Sequence, residues 1–194
     1  PRQTLAATTA DGPRNMSKHL PRRVLVTGAT GFVGRALCPA LAARYHAVVP
    51  AVRHESGLAG EAVIGEIGAS TDWCATLQGC DAVVHLAARA HKMRESERDA
   101  LAAYRQANTE ATLNLARQAA SAGVRRFVFI SSVKVNGEET RHGRPFAAGD
   151  DPAPEDAYGI SKAEAEAGLK AITAETGMEF VIIRPPLVYG PGVK

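Results

Sequence analysis

The sequence predicts a doubly wound α/β domain, in which helices cover both faces of a mostly parallel sheet. Short runs rich in β-branched and apolar residues alternate with longer stretches of helical periodicity. The short runs are apolar throughout, which is typical of parallel strands that are buried on both faces. Because such sheets bind ligands beyond the carboxyl ends of their strands, functional residues are expected in the segments that follow each strand.

Six strands and four helices are expected along the chain. The first strand spans Arg23–Thr27, and a helix follows at 32–44, with leucines four residues apart on one face. Ser70 or Thr71 is expected to cap a short helix that ends near Leu77. Each of the two long helices is followed by a glycine that ends it. The other strands are expected at 46–52, 62–64, 81–86, 127–130 and 180–183, and the long helices at 98–122 and 157–176.

Bulk composition indicates one soluble domain. The chain has 194 residues, of which 45% are hydrophobic and 22% charged, as in an ordinary globular domain. No apolar run approaches the roughly 18 residues of a membrane span, and no secretory signal is evident. The net charge of +3 is concentrated in residues 1–23, which carry five basic residues against one acidic residue. We therefore expect a disordered basic tail or extension at 1–21, the folded domain at 22–194, and no nucleic-acid partner.

Cysteine and histidine usage argues against disulfides and metal. Cys38, Cys74 and Cys80 are an odd set without CxxC spacing, which favours free thiols in a reducing cytoplasm. The six histidines show no HExxH or comparable ligand spacing, so no metal site is predicted.

A glycine-rich turn, GATGFVG at 28–34, follows the first strand. Gly28 permits the sharp exit from the strand, and Gly34 lets the next helix lie close to the sheet. Gly31 allows a diphosphate to approach the backbone N–H groups of Phe32 and Val33 at the helix N-terminus. A flexible loop with fortuitous glycines is the alternative, but the strand before and the amphipathic helix after favour a dinucleotide site. The sequence therefore predicts a Rossmann domain that binds NAD(P).

The end of the second strand bears on which dinucleotide binds. An acidic residue there would accept the 2′-hydroxyl of the adenosine ribose and repel a 2′-phosphate, but this strand ends in Arg53 and His54. An arginine can pair with a phosphate in a fork geometry, so Arg53 favours NADP(H). The alternative is that Arg53 stacks on adenine and both cofactors bind.

Tyr158 and Lys162 form the principal chemical pair. They are four residues apart on a predicted helix, so they share one face. A phenol normally titrates near ~10, and a neighbouring ammonium is expected to lower its pKa towards working pH. An exposed tyrosine and lysine on a solvated helix is the alternative for this spacing alone.

Five motifs together resemble the extended short-chain dehydrogenases/reductases of the nucleotide-sugar epimerase/dehydratase family. They occur in the family's order between about residues 24 and 190. They are TGATGFVG at 27–34, HLAA at 85–88, ISSVKVNGE at 130–138, YGISK at 158–162 and RPPLVYGPG at 184–192.

The resemblance implies roles for further residues. Ser132 takes the position of the catalytic hydroxyl, with its neighbour Ser131 as a rival. Tyr158 and Lys162 are implied to contact the cofactor as well as the reacting sugar. The resemblance implies cofactor contacts for Glu66 and Ile67 beside adenine, for Leu86, Ala87 and Ala88 along the dinucleotide, and for Pro185 near the nicotinamide. Core packing is an equal alternative for Leu86, and turn formation is the alternative for Pro185.

The resemblance also implies a reaction. Dehydratases of the family place an Asp-Glu pair where this chain has Val133 and Lys134, so dehydration is disfavoured. A 4-keto reductase of a nucleotide-sugar is slightly favoured by Arg53, with a UDP-sugar 4-epimerase as the alternative and a non-catalytic NADP-binding protein as a third hypothesis. Members are also built from a further segment of order 100 residues that grips the sugar, so the substrate lobe is expected to be largely absent from this chain. A homodimer through the two long helices is a further expectation.

Overall fold

The computed structural model describes residues 23–44, 47–90, 97–140 and 142–193. The tail expected at 1–21 lies outside the described residues. Six strands form one sheet in which every neighbouring pair is parallel. The strands are β1 (Arg23–Thr27), β2 (Ala47–Val52), β3 (Ala62–Val63), β4 (Ala82–His85), β5 (Arg126–Ile130) and β6 (Glu179–Ile183).

The strand order is β3-β2-β1-β4-β5-β6, so the chain starts at the centre of the sheet and winds outward in both directions. This order confirms the predicted doubly wound α/β fold. The order reverses between β1 and β4, whose carboxyl ends meet where Thr27 pairs with His85. Ligands of doubly wound sheets bind in the crevice at this reversal.

Five α-helices connect the strands. Alternate residues of β1 point to opposite faces, and accordingly Leu25 belongs to one buried cluster while Val24 and Val26 belong to another. The sheet therefore has a core on each face, as the apolar strands predicted. The helices are α1 (Phe32–Ala42), α2 (Cys74–Leu77), α3 (Glu97–Tyr104), α4 (Ala111–Ser121) and α5 (Ala157–Thr176).

The prediction of a single helix at 98–122 is wrong in one respect. A π-helical turn at Arg105–Glu110 separates α3 from α4. Asn108 lies in this turn, where its side chain bonds the backbone N–H and C=O of Arg89 and the hydroxyl of Ser161. These tertiary bonds stabilise a local geometry that hydrophobic periodicity does not encode, and π turns are frequent at functional sites.

The prediction that Ser70 or Thr71 caps the short helix is also wrong. The Thr71 hydroxyl accepts a hydrogen bond from the N–H of Gly68 (2.8 Å), and the residue that precedes α2 is Trp73. The backbone N–H of Trp73 donates to Gln118 on α4 (2.8 Å). The carboxylate of Asp72 accepts from the N–H of Cys74 (2.9 Å), so Asp72 rather than Ser70 or Thr71 caps the start of the helix. The other expected element bounds agree within two residues.

The three cysteines differ in their exposure to solvent. All three are free thiols, with Cys38 and Cys80 buried and Cys74 exposed. Among the described residues there is no group of three or more metal-ligating side chains. No helix in the described part of the chain is long and apolar enough to cross a membrane.

Candidate active site

The glycine turn lies at the reversal point of the sheet and packs tightly there. Gly28 has a positive φ of 67°, and a Cβ on it would lie 2.8 Å from the backbone nitrogen of Ala87. A Cβ on Gly34 would lie 2.3 Å from the carbonyl oxygen of Gly28. Gly31 is the N-cap of α1, where it provides no side chain to cap the helix, and the first helical turn contains no acidic residue. The backbone N–H groups in the first turn of α1 are therefore suited to bind an anionic diphosphate.

One large cavity joins this turn to the chemical end of the sheet. Its volume is about 1180 Å³, which exceeds the usual range of about 300–1,000 Å³ for small-molecule sites and leaves room for a dinucleotide. It collects residues that follow β1, β4, β5 and β6. Among the residues that line it are Val33, Leu86, Ala88, Ser132, Tyr158, Lys162 and Pro185.

The two neighbouring serines at the end of β5 point to different partners. Ser131 is 3% exposed and its hydroxyl donates to Glu166 on α5 at 2.5 Å. Glu166 is itself buried and forms an ion pair with Arg184 at 2.6 Å, so Ser131 belongs to a structural network that braces β5 and β6 against α5. Both serines line the cavity, and Ser132 lies beside Tyr158, with its hydroxyl oxygen accepting from the N–H of Lys134 at 3.3 Å. This geometry favours Ser132 over Ser131 as the catalytic hydroxyl.

Tyr158 lies in the first turn of α5, whose N-cap is Asp156. Its ring contacts that of Tyr104 edge-on, with 6.0 Å between the centroids. Burial raises the pKa of the Tyr158 phenol above its ordinary value, while the hydrogen bond from Ser132 acts in the opposite direction. The phenol of Tyr158 therefore lies beside the hydroxyl of Ser132, and both residues line the cavity.

Lys162 lies one turn further along α5 and is 1% exposed. Its ammonium nitrogen lies 4.1 Å from the centroid of the Phe129 ring. Burial lowers the pKa of Lys162 to about 7, so its side chain is only half charged near neutrality. The expectation that Lys162 lowers the pKa of Tyr158 stays a prediction, since burial raises the pKa of Tyr158 and lowers that of Lys162.

A buried chain of hydrogen bonds runs behind the site. The Thr112 hydroxyl donates to the carbonyl of Asn108 (2.5 Å), so Nε2–H of His85 donates to the Thr112 oxygen (3.0 Å). Nδ1 of His85 then accepts from the hydroxyl of Thr27 (2.6 Å), whose oxygen also accepts from the N–H of Ala87 (3.2 Å). Burial lowers the pKa of His85 to about 3, so the ring is neutral and serves in this buried network.

The residues expected at the adenosine end form a pair of their own. Nε of Arg53 lies 3.1 Å from a carboxylate oxygen of Glu66, and both side chains are largely exposed. Ile67, beside Glu66, packs partly buried against the core. Arg53, Glu66 and Ile67 are not among the described residues that line the large cavity, whereas Val33, Leu86 and Ala88 are. An acidic partner for Arg53 was not expected from the sequence.

Three ion pairs near the site were also missed by the sequence argument. Lys134 contacts Asp156 at 2.6 Å and Glu138 at 2.8 Å, which ties the turn after β5 to the start of α5. Arg184 pairs with Glu166 as described above. The spacing of Asp156 and Gly159 is that of an N-cap and its N3 residue, so the cap itself was a recognisable signal, whereas its cationic partner was not.

Comparison with known proteins agrees with this geometry. The NAD dependent epimerase/dehydratase family matches residues 24–194. The chain belongs to this family. A UDP-glucose 4-epimerase of Vibrio cholerae is 50% identical over 182 residues, which are 91% of this chain and 55% of that protein. A 3-beta-hydroxysteroid dehydrogenase of Mycolicibacterium neoaurum is 33% identical over 88% of this chain and 48% of its own length.

Solved structures of family relatives share the fold. A short-chain dehydrogenase/reductase superfamily protein from Agrobacterium tumefaciens with bound NAD is 32% identical, with a TM-score of 0.73 over 84% of this chain and 48% of that one. The UDP-glucuronic acid 4-epimerase from Bacillus cereus in complex with NAD is 26% identical, with a TM-score of 0.73 over 87% of this chain and 57% of that one. The chain spans about half the length of the curated relatives it matches. The family expected from the five motifs is confirmed.

Proposed function

We propose that this protein is an NAD(P)-dependent oxidoreductase that exchanges hydride with carbon 4 of a nucleotide-sugar, and that its net reaction is 4-epimerisation of a UDP-sugar. The observation that carries the proposal is the shared cavity, in which Ser132, Tyr158 and Lys162 face the same space as Val33 of the glycine turn. A scaffold that only bound a dinucleotide would not need a tyrosine, a lysine and a hydroxyl at its far end.

The residues of the site fit the proposed cofactor. The turn of Gly28, Gly31 and Gly34, with the N–H groups of Phe32 and Val33, would hold the diphosphate. Lys162 and Tyr158 would contact the ribose next to the nicotinamide. Leu86, Ala87, Ala88 and Pro185 would lie along the dinucleotide, with Glu66 and Ile67 beside the adenine. When bound, the nicotinamide supplies the hydride exchange.

The side chains of this chain supply proton transfer and orientation. Tyr158 exchanges a proton with the oxygen on the reacting sugar carbon, and Ser132 donates a hydrogen bond to the same oxygen. Because burial raises the pKa of Tyr158, the phenol is protonated at neutral pH and ready to donate when the keto form is reduced. In the oxidative half-reaction, the phenolate form of Tyr158 takes the proton of the sugar hydroxyl, while the nicotinamide would accept the hydride.

Epimerisation is favoured over reduction by similarity. The relative from Vibrio cholerae, a UDP-glucose 4-epimerase, is 50% identical, and the Bacillus cereus epimerase binds NAD. A 4-keto reductase that consumes NADPH is the second candidate, and Arg53 is the observation that favours it, since a guanidinium can pair with a 2′-phosphate. The pairing of Arg53 with Glu66 weakens that argument, because the carboxylate competes for the guanidinium and repels a phosphate. A homodimer through the long helices stays a prediction.

Two parallel assays distinguish the reactions. The purified protein is incubated with UDP-glucose and NAD⁺, and separately with a UDP-4-keto-sugar and NADPH. An epimerase forms UDP-galactose without a net change in nicotinamide absorbance, whereas a reductase oxidises NADPH in proportion to product. Cofactor binding with neither reaction would contradict the proposal and favour a non-catalytic protein.

A further inference from the structure

Lys134 holds the segment that carries Ser132. It is the middle residue of a 3₁₀ turn at Val133–Val135 that directly follows Ser132, and its backbone N–H donates to the Ser132 hydroxyl oxygen at 3.3 Å. Its ammonium lies 2.6 Å from Asp156 and 2.8 Å from Glu138. Lys134 also lines the large cavity, so a side chain outside the expected catalytic set reaches the same space.

Asp156 holds the segment that carries Tyr158. One carboxylate oxygen accepts from the N–H of Gly159 at 2.6 Å and so caps α5, while the other accepts from Lys134. The two segments also touch through their backbones. A Cβ on Gly159 would lie 2.9 Å from the carbonyl oxygen of Lys134, and the N–H of Ala153 donates to the carbonyl of Val135 at 2.9 Å. Asp156 therefore links the turn of the catalytic hydroxyl to the helix of the phenol.

We propose that Lys134 is a positioning residue for proton transfer, which fixes Tyr158 against Ser132 through Asp156 and places a positive charge beside the phenol. The proposal rests on the proposed role of Tyr158 as the proton carrier. A cation that only braced the loop would act through the ion pair alone, so removal of either partner would have the same effect. If Lys134 also acts on the phenol, removal of Lys134 and removal of Asp156 shift the pKa of Tyr158 in opposite directions.

The charges around Tyr158 predict the direction of each of these pKa shifts. Lys134 lowers the pKa of Tyr158, whereas Asp156 and the neighbouring Tyr104 raise it. Lys162 follows on the same helix face, half charged near neutrality because of burial. The titratable and charged groups near the phenol, from each element packed around it, are Arg89, Tyr104, Lys134, Glu138, Glu155, Asp156 and Lys162. Of these, Lys134 and Asp156 can be neutralised separately without removal of a ring or a catalytic group.

The test is a titration of the phenol itself. The protein is labelled with ring-¹³C tyrosine, the Tyr158 resonance is assigned with Tyr158→Phe, and its pKa is measured by NMR. Lys134→Met is expected to raise the pKa of Tyr158 by roughly half a unit, and Asp156→Asn to lower it by a similar amount, as one unit charge does at several ångströms in a partly exposed site. Asparagine still caps a helix, so Asp156→Asn keeps the start of α5. Lys134→Arg retains the charge and is expected to restore the wild-type value.

The control variant is Glu164→Gln, which breaks a surface ion pair between the same helix and Arg105 of the π-helical turn. It is expected to leave the Tyr158 titration unchanged. Shifts in the same direction for Lys134→Met and Asp156→Asn, or no shift in either, would overturn the proposal. If Lys134→Met does not fold, the Asp156→Asn titration decides alone, since an unchanged or raised pKa contradicts the proposed charge effect. The titration needs neither sugar nor cofactor, so its failure would leave the proposed reaction standing.

Discussion

The buried lysine of the site is expected to lower the stability of the fold that contains it. Lys162 is 1% exposed, and burial lowers its pKa from the ordinary value of 10.5 to about 7. Between these two values the unfolded chain binds one more proton than the folded protein, so the stability contributed by this position rises with pH. The cost of burying Lys162 is fully present below about pH 7 and disappears above 10.5.

The size of the effect follows from the shift. A shift of 10.5 − 7 = 3.5 pKa units corresponds to about 5 kcal/mol, because each unit is about 1.4 kcal/mol. We therefore expect Lys162→Met to raise the free energy of unfolding by about 4 kcal/mol at neutral pH and by less than about 1 kcal/mol near pH 10.

Urea unfolding of the two proteins at a series of pH values measures this difference. Lys170→Met is the matched control, since Lys170 is exposed on the same helix, and it is expected to change stability little at any pH. A Lys162→Met variant as stable as wild type at neutral pH, or a difference that does not vary with pH, would refute the reasoning. If Lys162→Met is more stable at neutral pH, as expected, the wild-type chain keeps a destabilising lysine for its function, because the same substitution is expected to abolish turnover.

Five further substitutions, grouped into three experiments, test the site. Glu66→Gln is expected to increase the affinity for NADPH relative to NADH several-fold, and Arg53→Ala is expected to reduce it, as measured by fluorescence titration. An unchanged ratio of the two affinities in both variants would exclude this pair from cofactor selection. Ser132→Ala is expected to lower kcat by ~10²-fold with little loss of stability. Ser131→Ala is expected to lower the free energy of unfolding by about 1–3 kcal/mol, because it leaves a buried carboxylate short of a donor. The reverse pattern in kinetics and urea unfolding would exchange the roles of the two serines. Gly34→Ala is expected to abolish dinucleotide binding in calorimetry or to prevent folding, since its Cβ would lie 2.3 Å from a backbone oxygen, and a stable variant with normal binding would contradict the packing described.

The fold could be predicted largely from sequence because its signals are local. The apolar strands, the glycine turn and the bounds of α5, with Gly177 in a left-handed conformation at its end, follow from periodicity and turn chemistry. The π turn around Asn108 could not be predicted, because its cause is a set of bonds to Arg89 and Ser161 that are distant in sequence.

The site could be predicted in its residues but not in its electrostatics. Motif spacing indicated Tyr158, Lys162 and a serine at the end of β5. Both serines line the cavity, and which of them is committed to Glu166 depends on the direction of each side chain at the strand end, since successive residues point to opposite faces. The pKa of Lys162 depends on burial, and the pairing of Lys134 with Asp156 depends on contact between two loops. A spacing of residues contains neither kind of information.

The central claim is that Tyr158 carries the proton while a bound nicotinamide exchanges hydride with the sugar. The most direct measurement is the rate at which reduced nicotinamide forms when UDP-glucose is mixed with the NAD⁺-loaded protein, for wild type and Tyr158→Phe. We expect the variant to bind NAD⁺ normally and to form reduced nicotinamide ~10²–10⁴-fold more slowly. Equal rates in the two proteins would contradict the account.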